Sequence, residues 1–309
     1  MNITQIFFGT DERVRSGWRF LIFVIAFFVS AIVFGGAAAA ILIALGRTGT
    51  PVYFVVNGVI SLILALVIGW LCGKYLEQLP FRALGASFTK GWLVNFVVGL
   101  ILGILTLALA AGIGMLTGGL SFSFNTSADM SSIYWTLLIS FLIFAAAAAF
   151  EEALFRGYIL QTFVRSGLAW PAIIFISVFF GAVHLGNPSA NAISSINTAL
   201  AGIWLGIAYL KTRDLWLAFG LHLAWNWTQG SIFGIEVSGL TDIVKAPLMR
   251  EMDSGPAWIT GGDYGIEGGI ITTIALIVSA LVIYFMPLLK PDEELKNLSE
   301  PPAVQKPAR

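Results

Sequence analysis

Long apolar runs, broken by short clusters of charge, proline and glycine, set the pattern of this chain. Windows bounded by those breaks fall at approximately 18–45, 52–73, 91–118, 133–164, 169–186, 190–210, 215–233 and 269–289. About 20 apolar residues cross a bilayer as a helix. The pattern therefore predicts an all-α, polytopic membrane protein with about eight transmembrane helices. The first and fourth runs exceed what a bilayer requires and are expected to tilt, kink or protrude. A segment 1–17 would precede a transmembrane domain, 18–289, and a polar, proline-containing tail, 290–309, would follow it and remain disordered.

Composition sharpens this. Of 309 residues, 58% are hydrophobic and 11% charged, whereas a soluble domain carries about 25% charged residues. A large extramembrane receptor or binding module is excluded. The balance of 17 basic and 17 acidic side chains gives no reason to expect nucleic acid as a partner. Cys72, the single cysteine, permits no internal disulfide. The charged head Asp11–Arg15 leads into an apolar run longer than the roughly 7–15 residues of a signal h-region, so a first span is expected rather than a cleaved signal.

Orientation follows from lysine and arginine. A cytoplasmic N-terminus places Arg13, Arg15, Arg19, Lys74, Arg82, Lys90, Arg165, Lys211, Arg213, Lys290, Lys296, Lys306 and Arg309 on that side. The opposite loops hold only Arg47, Lys245 and Arg250. That bias predicts both termini in the cytoplasm. Residues 74–90 are amphipathic and expected along the cytoplasmic interface. Residues 234–268 form an acidic, glycine-rich outer loop. No internal repeat suggests a transporter built from two halves.

Against this background a few polar residues stand out. Glu151 and Glu152 end the apolar run SFLIFAAAAAF. An intramembrane charge costs about 2.5–3.5 kcal/mol on insertion scales, which makes it a functional candidate. The bland alternative is that the helix leaves the membrane here. Arg156 lies four residues after Glu152, in the favourable order for a helical ion pair. Glu151 points about 100° further round and keeps no local partner, which suits a carboxylate to general-base work. Both histidines of the chain, His184 and His222, fall inside spans, His184 one turn after Phe180 and His222 one turn before Asn226. A hairpin turning near Gly167 would set Glu151 and His184 at one depth on neighbouring helices. The same arithmetic places His222 about 10 Å nearer the cytoplasm.

Glu151-Glu152-x-x-x-Arg156, Phe180-x-x-x-His184 and His222-x-x-x-Asn226 resemble, in that order, the three motifs of the CAAX prenyl protease and bacteriocin-processing (CPBP, or Abi) family. PFRALG at 80–85 is also similar to the stretch ahead of that family's core, here about 130–233. The resemblance implies an intramembrane endopeptidase with about eight spans. In its terms Glu151, helped by His184, activates a water. His222 and Asn226 donate to the tetrahedral oxyanion, while Glu152, Arg156 and Phe180 support them. Zinc held by Glu151, His184 and His222 is one reading of the donor set. A metal-free glutamate mechanism is the other, since HExxH is absent. The implied partners are a membrane-associated peptide or protein substrate and the bilayer of a plasma or inner membrane. Two competing functions use the same residues: a non-catalytic immunity or scaffold protein with a polar cluster as helix glue, and a proton-coupled transporter with a Glu/His relay.

Overall fold

The computed structural model describes residues 4–9, 13–241 and 243–300. The tail beyond 300 and the acidic pair Asp11 and Glu12 lie outside the described residues. Among the described residues, six helices are long and apolar enough to cross a membrane. They are α1 (Ser16–Ala44), α2 (Pro51–Glu77), α3 (Trp92–Leu116), α4 (Met130–Val164), α5 (Ala169–Gly186) and α6 (Ala192–Thr212). The last two predicted spans are also helical but fall short of that standard. Helix α7 (Trp216–Trp227) continues through a π-helical stretch, Thr228–Phe233, and carries polar side chains along its length. Helix α8 (Ile270–Phe285) has 16 residues. The chain is thus a multi-pass membrane protein, with side chains such as Ile32 and Phe285 left facing outward.

Local signals explain the helix ends. Thr50 caps α2, its side chain accepting from Tyr53 N, with Pro51 in the first turn. Gly167 takes the left-handed conformation (φ 76°) between α4 and α5, and Pro171 falls in the first turn of α5, as the turn near Gly167 predicted. Asn191 forms a capping box with Ser194 at the start of α6. Helix α9 (Glu293–Ser299) is amphipathic, and Gly9 and Leu298 line one cavity, so both described ends of the chain lie on one face.

Two features depart from expectation. The over-long first and fourth helices each contain a π-helical stretch, Ala31–Gly35 and Ala153–Ile159. The second begins directly after Glu152. The architecture is also not purely helical: strands β1 (Leu120–Phe124) and β2 (Met249–Asp253) pair antiparallel outside the helices. LSFSF alternates as a strand should, but its partner lies more than a hundred residues on, in the segment between α7 and α8.

Helix α7, the carrier of His222, is clamped on α3. Gly99, Gly103 and Gly220 let the two backbones meet. A Cβ on Gly220 would stand 2.4 Å from Phe96 O, and one on Gly99 2.4 Å from Leu217 O. Gly220→Ala should therefore cost about 1–3 kcal/mol and shift His222, two residues away. Gly112→Ala, with nothing within 4 Å, is the control. Equal thermal stability for the two variants would contradict this packing.

Asp214 holds the turn between α6 and α7. Its carboxylate accepts from Asn95 Nδ2 at 2.6 Å, Thr212 Oγ1 at 3.0 Å and Trp216 N at 3.1 Å. Burial outweighs these bonds and raises the carboxyl from 3.8 to about 6. The folded protein thus keeps a proton that the unfolded chain releases near pH 4, and stability falls as pH rises through roughly 4 to 6. Thermal melts at pH 4.5 and 7 should show wild type gaining on Asp214→Asn at the lower pH. A constant difference would refute the linkage.

Candidate active site

The two glutamates leave α4 on different faces and meet different surroundings. Glu152 is buried (1% exposed) and accepts from Arg156 Nη1 at 3.0 Å, the predicted i,i+4 pair. Arg156, equally buried, donates through Nη2 to Gly202 O at 3.1 Å on α6, and its guanidinium lies 5.0 Å over the ring of Phe180. His222 Nδ1 also meets Glu152 Oε1, at 2.8 Å. Arg156, Glu152 and His222 therefore form one buried chain joining α4, α6 and α7.

Glu151 stands beside this chain. Its Oε2 lies 3.8 Å from His222 Nε2 and, although buried, has no hydrogen-bond partner. Glu152 Oε2 is likewise buried without a partner, but of the two glutamates it is Glu151 that lines the cavity described below. The turn arithmetic had set His222 well below the glutamates. The structure brings the groups together: His222 Nδ1 meets Glu152 Oε1, and its ring lies 6.3 Å from that of Phe180.

His184 lies where α5 ends. Its Nδ1 is 2.7 Å from Phe180 O. A carbonyl only accepts, so Nδ1 is the donor in this bond. Its ring packs on Phe180 at 4.7 Å. Glu151, His184, His222 and half-buried Asn226 all line one cavity of about 410 Å³. An apolar pocket of about 220 Å³, bounded by Phe27, Phe28 and Phe179, reaches Glu151 and His184 from the side of α1. Among the described residues, no three His, Cys, Asp or Glu side chains converge as metal ligands. Glu151, His184 and His222 share the cavity without forming such a three-ligand cluster.

Sequence reasoning overlooked the outer wall. Val237, Ser238, Leu240 and Ile243 of the loop after α7 line the same cavity. Glu267 anchors that wall: it accepts from Trp225 Nε1 at 3.2 Å and from Ser238 N and Oγ at 2.6 and 2.9 Å. The one available signal was an acidic residue in a glycine-rich stretch, which reads as a solvated loop.

Comparison with known proteins agrees with the motifs. A family model described as type II CAAX prenyl endopeptidase Rce1-like matches residues 133–228. That segment contains Glu151, Glu152, Arg156, Phe180, His184, His222 and Asn226, and the match supports the resemblance to the CPBP family. The match points to a membrane-embedded, CAAX-type protease. No curated protein matches the chain.

Proposed function

From the premise of a Rce1-like core at 133–228, we propose that this chain is an intramembrane endopeptidase. It would hydrolyse a peptide bond with a water activated by Glu151 and His184. The observation that carries the proposal is that Glu151, whose Oε2 has no hydrogen-bond partner, lines the same cavity as His184. A water donating to both is oriented for attack on a carbonyl carbon, and Glu151 takes its proton. His222, whose Nδ1 donates to Glu152, presents Nε2 to the cavity. When doubly protonated it donates from there to the tetrahedral oxyanion, with Asn226 as the second donor. The proton held by Glu151 or His184 then passes to the leaving amine. Glu152 and Arg156 act through His222 by fixing its ring.

The reading extends to topology and substrate. Eight helices cross a plasma or inner membrane with both termini cytoplasmic, and the transmembrane domain runs over 18–289. The apolar pocket beside Glu151 suits a substrate that arrives from the lipid. The test is the purified protein in liposomes with a peptide ending in an S-prenylated C-a-a-X sequence. Mass spectrometry should show a new C-terminus with wild type. An intact peptide with correctly folded wild-type protein would overturn the CAAX-type reading.

A further inference from the structure

A second polar centre lies on the face that carries both described ends of the chain, where α1 and α2 meet the last turn of α4. Glu77, at the end of α2, is buried and serves two arginines. Arg165 grips it with Nε to Oε1 and Nη2 to Oε2, both at 2.9 Å. Arg19 donates to Oε1 through Nη1 and to Ser166 Oγ through Nη2 at 3.0 Å. Thr162 Oγ1 donates to Oε2 at 3.2 Å. Arg19 and Arg165 are only 6% and 8% exposed, against 1% for Glu77. Two buried guanidinium charges thus share one carboxylate whose oxygens are already taken.

This centre borders a cavity of about 1080 Å³, also lined by Arg15, with Glu77 and Glu300 its acidic members among the described residues. Arg19 Nε is buried without a hydrogen-bond partner. Trp18 and Leu21 line the same cavity, and Leu21 is 40% exposed along α1, so one side of the cavity meets the lipid-facing surface. Buried uncompensated charge is expensive, and arginine forks match the oxygens of a phosphate.

We propose that this cavity binds a phosphate group, supplied by the headgroup of an anionic phospholipid or by free phosphate. Arg19 and Arg15 are its main contacts, and Glu77 and Arg165 hold Arg19 in place. The site is independent of the proposed protease chemistry. Its test uses the purified full-length protein after delipidation, followed by thermal unfolding while phosphatidylglycerol, phosphatidylcholine or inorganic phosphate is titrated. Phosphatidylglycerol should raise the melting temperature at concentrations at least tenfold below those of phosphatidylcholine. Arg15→Gln and Arg19→Lys should each weaken that response at least tenfold, whereas Lys90→Gln, an exposed cation elsewhere on that face, should not. If inorganic phosphate reproduces and competes with the lipid effect, a soluble phosphate is the ligand. If only the lipid acts, the source is the membrane. Equal responses to the two lipids without a phosphate effect, or wild-type responses in both arginine variants, would overturn the proposal.

Discussion

Replacing Glu151 by Gln should abolish peptide-bond cleavage while leaving the protein as stable as wild type. The carboxylate makes no hydrogen bond through Oε2 and its side chain is 23% exposed, so little of the fold depends on its charge. Its proposed work is to take a proton, which an amide cannot do. Losing a general base costs about 10²–10⁴ in rate. Glu152→Gln should behave in the opposite sense. There the fully buried Arg156 would lose its counter-charge and His222 its carboxylate. Breaking a buried pair this way costs about 3–5 kcal/mol, so Glu152→Gln should melt early and retain partial activity in the fraction that folds. Parallel thermal melts and cleavage assays separate the two variants. Equal loss of activity at equal stability, or loss confined to Glu152→Gln, would reverse the assignment.

The second large effect lies far from the chemistry. Glu77→Gln leaves Arg19 and Arg165 buried around a neutral amide. By the same reasoning the fold should lose about 3–5 kcal/mol, seen as a lower yield of folded protein and a lower melting temperature. Glu77 ties the end of α2 to α1 and to the last turn of α4, so those three helices should loosen together. The check is the thermal stability of Glu77→Gln beside Glu77→Asp, which keeps the charge and should recover part of the loss. A Gln variant as stable as wild type would show that the arginines find other partners.

What was legible in the sequence, and what was not, follows from how local each interaction is. The pairing of Glu152 with Arg156 needs only helical spacing, and the turn at Gly167 needs only its own residues, so both were readable. His222 meets Glu152 across 70 residues. Turn arithmetic alone leaves open how the spans are staggered, so this contact was not readable from spacing. Glu77 escaped notice because a charge at the end of an apolar run reads as solvated. Only the packing of α1 and α4 against that end shows it to be buried. Glu267 was hidden for a similar reason, in a loop whose composition suggests exposure. The strand pair joins β1 to the outer loop, and no local pattern announces a partner that distant. The span count was blurred where polar residues gather: His222, Asn226 and those after them lower the apolar character of α7.

The central claim is that Glu151 turns over a peptide bond in this cavity. Its most direct test compares new peptide termini across the membrane proteome of null cells expressing wild type or Glu151→Gln at equal levels. The account predicts a set of termini present only with wild type, and those termini would name the substrates. Indistinguishable sets, with both proteins folded and in the membrane, would contradict it and favour a non-catalytic immunity or scaffold role for the same fold.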